Sequence, residues 1–311
     1  MRTAGRASGL AGFAAAGAQA SVTLTYPLSS GEIDSRYEYD WAVLRMALEK
    51  TAARFGPFRL LQSTIPMSPA RITHELLAPA GRINVFARAT APDLEQQFLP
   101  VRLPIDRGLL GYRVLLVRRA DLPQYAAVHS IADLQRFRAG LGKDWIDVAI
   151  LSAAGLNIVK GSTYDGLFSM LDAGRFDYLS RSADEAVREY EERRFDLPSL
   201  AVEPTLLLYY PQPLYFFLRR DIEGEQLAKR IEAGMEIMLH DGSLNALLAY
   251  YKGDALRRLE MSKRRVLAIP NPTLPPDPPL ARSEWWINPL QPRGPLTARS
   301  SAAAPPGGSR P

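Results

Sequence analysis

The residues of this 311-residue chain that could do chemistry are mostly arginines and hydroxyls at the ends of strand-like runs. Arg181 and Ser182 come just after the run Phe176–Leu179. A guanidinium at that position can hold a carboxylate with two parallel N–H donors, or it can pair with Asp184 or Glu185. Gly161, Ser162 and Thr163 lead from another strand-like run into a helical one, where free backbone N–H groups suit an anion; Thr163 reads equally well as a helix cap. Tyr26 closes the first strand-like run and offers either a stacking face for a ligand or the edge of a core. Arg88 and Thr90 follow the third run, while Arg102 and Arg107 read as structural.

Other chemistry has no visible machinery. Without cysteine there are no disulfides, thiolate nucleophiles, Cys-zinc sites or Fe–S clusters. His74, His129 and His240 are far apart and lack metal-ligand spacing. Neither a nucleophile elbow, a phosphate loop nor a dinucleotide fingerprint occurs. Gly140-Leu141-Gly142-Lys143 lacks the first glycine and the trailing Ser/Thr of a phosphate loop and is expected to be a turn. Asp184, Glu185, Glu189, Glu191 and Glu192, interleaved with Arg188, Arg193 and Arg194, read as a solvated helix face. No catalytic residue, metal ligand or cofactor is therefore expected. An acid–base pair assembled by folding would leave no local motif, which keeps an enzymatic alternative open.

The elements that must position these residues alternate. Val22–Tyr26, Phe58–Gln62 and Ile83–Ala87 read as strands, separated by helical spacing over Tyr37–Phe55 and by a helix from Ser68 (N-cap) and Pro69 (N1) to Ala78. That order predicts a parallel sheet with right-handed crossovers. Farther on, Gly111–Val117, Asn157–Lys160, Phe176–Leu179, Thr205–Tyr210 and Leu214–Leu218 read as strands. Helices are expected near Trp145–Ala154, Tyr164–Ala173, Ala183–Arg194, Glu225–Leu239 and Leu244–Tyr251.

With 47% hydrophobic and 23% charged residues the chain is globular in composition. The net charge of +5 sits at the ends. Residues 255–311 hold nine Lys or Arg against three acids, residues 1–20 hold two Arg, and the body between them is acidic, so no nucleic-acid partner is expected. Residues 1–20 have two arginines, an Ala/Gly-rich apolar stretch and the close Ala18-Gln19-Ala20, the pattern of a signal peptide cut after Ala20. Twelve of the 25 prolines fall in the last 42 residues, so 256–311 is expected to be a basic, Pro-rich, disordered tail, with Trp285-Trp286 a loosely packed surface pair.

Three patterns carry a resemblance: VHSIADLQRFRAGLG, STYDGLFSMLDAGRFDYLSRSADEA, and IEAGMEIMLHDGSLNALLAYY with Asp241-Gly242-Ser243 between two helices. Their order and spacing resemble the extracytoplasmic solute-binding proteins of ABC transporters, amino-acid-binding group (solute-binding family 3), over residues 21–255. The resemblance implies an α/β, two-lobed periplasmic-binding-protein-like fold of type II, mixed sheets flanked by helices with a ligand crevice between lobes. It further implies lobe 1 over 21–108, a crossover and lobe 2 over 109–212, and a return with closing helices over 213–255. The implied function is a periplasmic, monomeric, non-catalytic receptor. It takes up a small polar solute, anionic or amino-acid-like, and delivers it to a membrane permease or sensor. Alternatives are recruitment of the fold as a lyase or dehydratase, or an interaction protein with a vestigial crevice. The ligand residues expected are Tyr26, Arg88, Thr90, Gly161, Ser162, Thr163, Arg181 and Ser182. Two departures matter: the family's Thr-x-x-Arg clamp is Thr90 followed by Asp93 here, and Arg181-Ser182 stands where an acidic residue usually meets a ligand amine.

Overall fold

A computed structural model describes residues 21–29, 37–275 and 279–290. In chain order these form β1 (Val22–Ser29), α1 (Glu38–Lys50), α2 (Ala52–Phe55), β2 (Phe58–Met67), α3 (Pro69–Leu77), β3 (Val85–Ala89), α4 (Pro92–Gln97) and β4 (Leu99–Val101). Next come β5 (Tyr112–Arg118), α5 (Leu122–Tyr125), α6 (Ile131–Leu134), β6 (Arg138–Gly142), α7 (Asp147–Ala153), β7 (Asn157–Gly161), α8 (Tyr164–Asp172), β8 (Tyr178–Ser182) and α9 (Ala183–Arg193). The chain continues through β9 (Leu200–Val202), β10 (Leu206–Tyr209), β11 (Leu214–Leu218), α10 (Ile222–His240), α11 (Ser243–Arg258) and β12 (Arg265–Ala268).

The described residues fall into two compact units, those up to 105 with 214–248 and those from 106 to 213 with those after 248. In the first, β1 pairs parallel with β2, from Val22 opposite Phe58 to Tyr26 opposite Gln62. A bulge follows, at which Ser63 Oγ accepts from Ile65 N at 3.3 Å. Asn84 imitates a strand partner beside β1: its Oδ1 accepts from Thr25 N and its Nδ2 donates to Thr23 O. β11 lies antiparallel between β3 and β4. Phe86, Phe98, Phe216 and Phe217 are buried there, Phe86 stacking on Phe217 at 5.3 Å. Each such side chain contributes roughly 1.5–3 kcal/mol by leaving water. α1 packs on α10 at Gly234, where a Cβ would overlap the Ala47 backbone. The helix predicted over Tyr37–Phe55 is interrupted at Thr51, whose hydroxyl donates back to Ala47 O. Ser68 caps α3 as predicted, accepting from Arg71 N at 3.3 Å.

In the second unit one seven-stranded sheet runs β12-β10-β5-β8-β6-β7, with β9 also paired to β5. β6 is parallel to both β7 and β8, whereas β5 is antiparallel to β8 and β10. One face carries the core of Leu115, Val117, Leu141, Ile150, Tyr178 and Leu208. Arg113, Leu115 and Val117 lie opposite Ser182, Ser180 and Tyr178, whereas Arg181 lies opposite Val114. The two-residue repeat of a strand puts the first set on one face and Arg181 on the other.

Three expectations are corrected. Gly140-Leu141-Gly142 is part of β6, not a turn. The Phe176 ring occupies the space a Cβ of Gly140 would need, and Trp145 does the same at Gly142, so aromatic packing explains both glycines. Residues 256–275 and 279–290 are not a disordered tail: β12 adds a parallel strand to β10, and Trp285 is fully buried rather than loosely packed. The run Arg265–Ala268 has the β-branched and aliphatic residues a strand needs, which the proline count around it obscures. Finally, α11 runs on to Arg258 and passes at Leu248/Ala249 from one unit to the other, so the return stretch 213–255 belongs to both. The expected leader, 1–20, and residues 291–311 lie outside the described residues.

Candidate functional site

Each unit carries its own set of candidate residues. In the first, Tyr26 stands at the last paired position before the β1–β2 bulge, and its ring stacks on Trp41 of α1 with centroids 4.3 Å apart. Burial raises the Tyr26 phenol above its ordinary range, with Arg45 opposing. Arg88 is half-buried on β3; its guanidinium lies 4.9 Å from the Phe86 ring centre and donates to Pro69 O at 3.4 Å. Burial holds its affinity for the proton below the usual value, with Tyr37 and Asp93 opposing. Thr90 is buried, and its hydroxyl donates to Glu95 Oε1 at 2.6 Å. Arg102 Nε donates to the other oxygen of Glu95 at 2.9 Å. Arg102, read as structural, thus joins Thr90 through one carboxylate of α4. Asp93, in the position of the family's clamp arginine, opens α4, where a negative charge suits the helix dipole.

In the second unit the sheet ends gather a dense charged cluster. Arg181 is buried; its Nε and Nη2 donate to Glu189 at 2.8 and 2.7 Å, and Nη2 lies 3.1 Å from Glu185. The eight-residue separation of Arg181 and Glu189 spans the turn from β8 into α9, bringing the carboxylate back over the strand. Arg181 also lies over the Trp145 ring at 4.5 Å, and Tyr164 Oη donates to Glu189 at 2.8 Å. On the other face Arg113 donates to Asp147, to Tyr210 Oη at 2.8 Å and to Gln212 Oε1 at 2.7 Å. Tyr210 donates to the same Asp147 oxygen. Glu185 joins the two faces: Arg181 touches it directly, and Arg113 lies 3.9 Å away. Burial pushes the Glu185 carboxyl up, but Arg181, Arg113, Arg188 and the Ser182 side chain outweigh it, leaving it far below the carboxylate range.

Ser182 is fully buried, its hydroxyl donating to Asp184 at 3.0 Å, while Asp184 also pairs with Lys252 of α11. Gly161 is buried at the end of β7; a Cβ there would press on Leu167. Ser162 and Thr163 are exposed, and Thr163 Oγ1 accepts from Gly166 N at 3.2 Å as the cap of α8. Within the second unit, therefore, Arg181 and Ser182 belong to one cluster and Gly161–Thr163 to the entry of α8. Tyr26, Arg88 and Thr90 make separate contacts in the first. Sequence reading missed Arg113, Trp145, Asp147, Tyr164, Glu189, Tyr210 and Gln212. Only Glu189 had a local signal, as a carboxylate inside an acidic helix run. Among the described residues no group of His, Asp and Glu has metal-holding geometry, and no helix is long and apolar enough to cross a membrane.

This architecture is the periplasmic-binding-protein fold. A periplasmic binding protein of Salmonella typhimurium with high arginine specificity superposes with a TM-score of 0.52 at 16% identity, covering 75% of this chain and 100% of that one. A histidine kinase sensor domain similar to periplasmic binding proteins gives 0.52 at 17%, covering 76% and 97%. An ancestral amino-acid-binding protein, a precursor of cyclohexadienyl dehydratase, gives 0.51 at 13%, covering 74% and 95%. No protein-family model and no curated protein matches the chain. At these identities the likeness establishes the fold, in agreement with the sequence resemblance.

Proposed function

We propose that this chain is an extracytoplasmic receptor that binds a small polar solute of amino-acid or organic-acid type without transforming it and delivers it to a membrane partner. The observation that carries the reading is the fold, which spans nearly the whole length of binding proteins for small solutes. A fold alone does not fix a function. Further support comes from polar side chains at strand ends and helix starts, where ligands of α/β proteins bind.

The residues proposed to face the solute are Tyr26, Arg88 and Thr90 from one unit and Gly161, Ser162, Thr163, Arg181 and Ser182 from the other. The geometry assigns them unequal parts. Ser162 and Thr163 are exposed at the start of the nine-residue α8 and offer hydroxyls and amides to an anionic group. Arg181 is already neutralised by Glu185 and Glu189. A solute carboxylate would have to compete with those two, so Arg181 serves better to fix Glu185 and Ser182 than as a free clamp. With Asp93 in place of the family's arginine, an ordinary α-amino acid has lost its usual carboxylate partner.

Likeness to a sensor domain supports a second output for the same binding event, to a signalling partner in place of a permease. A thermal-shift screen of amino acids, organic acids and amines tests the reading. A solute at 100 times its Kd should stabilise the protein by about 2.7 kcal/mol. No stabilisation by any member of the panel would remove the receptor reading, and recovery of a chemically altered solute would move it to the lyase class.

A further inference from the structure

The described residues after α11 do more than extend the sheet: within the second unit they hold both stretches of chain that lead to and from the first. The first connection, Asp106 to Gly111, contains consecutive residues in the left-handed region, Arg107 at φ 56° and Gly108 at φ 79°. Asp106 ties this turn from inside, accepting from Gly108 N at 3.0 Å and Leu110 N at 2.6 Å. The late segment ties it from outside. Ile287 N donates to Arg107 O at 2.9 Å, Arg107 Nη2 donates to Glu284 O at 2.7 Å, and Tyr112 Oη donates to Ile287 O at 3.3 Å. The Trp286 ring covers Gly108 where any Cβ would collide with it, and Trp285 beside it is fully buried. The second connection, Tyr210 to Pro213, meets the same segment nearer its start. There Ile269 N donates to Tyr209 O at 2.9 Å and Asn271 Nδ2 donates to Pro211 O at 2.8 Å.

We propose that residues 265–275 and 279–287 form a brace that restrains both connecting stretches and so governs how readily the chain bends at them. Hinges are short segments in which a few residues absorb the φ/ψ change. Gly108 is the residue freest to absorb it, and a tryptophan lies on it. Bending at Arg107–Gly108 must lift Trp286 or break the Ile287–Arg107 bond, and bending at Pro211 must release Asn271. The bracing follows from contacts within one unit; its consequence for solute capture rests on the receptor reading.

Amide hydrogen exchange on the full chain separates the two. In Trp286→Ala, exchange at Gly108, Leu110 and Gly111 should quicken about tenfold, the loss expected for one aromatic anchor, while β5 and β8 amides keep their rates. Asn271→Ala should quicken Gln212 and leave 108–111 unchanged. Unchanged exchange at 108–111 in folded Trp286→Ala would overturn the proposal. So would a uniform rise throughout the unit, which would make Trp286 ordinary core; Trp286→Phe should then fail to restore slow exchange selectively at 108–111. None of these readings needs a solute, so failure of the thermal-shift panel would overturn the receptor reading and leave the brace standing.

Discussion

Two regions of the molecule bury arginines in opposite ways. In the first unit Arg230 of α10 reaches no carboxylate among the described residues: it donates to Gly56 O at 2.8 Å, to Leu48 O at 3.2 Å and to Thr51 Oγ1 at 3.3 Å, where α1 and α2 end. Its partners are carbonyls and a hydroxyl at helix termini, where the helix dipole favours a cation. In the second unit Arg181 and Arg113 face carboxylates buried with them. Arg230 staples one helix end to another, a role fulfilled by position. Arg181 and Arg113 instead form a network of opposed charges at the strand ends, where each group sets the state of the next. The first arrangement staples helix ends; the second fixes the orientation of polar groups such as Glu185 and Ser182.

The sharpest way to break this contrast is Arg181→Ala. It leaves Glu189 fully buried and without its guanidinium, and should cost about 3–5 kcal/mol in urea denaturation at neutral pH. The cost should shrink in acid, because Arg181 is one of the cations that outweigh burial and hold Glu185 below its ordinary range, and that contribution is lost as pH falls. Arg230→Ala leaves neutral carbonyls and a hydroxyl behind and should cost less, about 2–3 kcal/mol, with little dependence on pH. A larger or more pH-dependent loss for Arg230→Ala would erase the distinction between the two regions.

Acid sharpens it further. Glu185 and Asp184 titrate below their ordinary range because nearby cations outweigh burial, so they add stability that is present above about pH 4–5 and lost as pH falls. Amides of α9 should therefore lose protection in acid before those of α1 and α10. Equal loss in both places would deny the second network its electrostatic character. The smallest effect has the opposite sign. Burial pushes the Asp106 carboxyl up to about 6, against Lys252 and the Leu110 and Gly108 amides. Its folded-state preference for the proton favours stability at pH 4, and that contribution is lost as pH rises through 6. Asp106→Asn should flatten the pH dependence of the unfolding free energy between pH 4 and 6; an unaltered slope would assign it to other groups.

Much of the scaffold was legible in the sequence because its signals are local. Ser68-Pro69 and Thr163 announce helix starts, Gly56 and Gly174 mark ends, and β-branched or aromatic runs mark β1, β5 and β11. β6 was hidden because its glycines are demanded by Phe176 and Trp145, and tertiary packing has no local signature. β12 was hidden by the prolines around it. Arg181 was found, but the partner that defines it lies eight residues on, and Arg113 draws its partners from positions 34, 97 and 99 residues away. Ion networks assembled over such distances leave no spacing to read.

The β1–β2 pair leaves one long border. β2 has ten residues and, among the described residues, a hydrogen-bonded neighbour on one side only. Pro66 supplies no N–H there, and a bulge breaks the register between Tyr26 and Leu28. An incoming chain would find an irregular row of donors and acceptors, a poor template for strand addition. That irregularity guards against self-association when many copies are crowded together, a protection independent of whatever the protein binds.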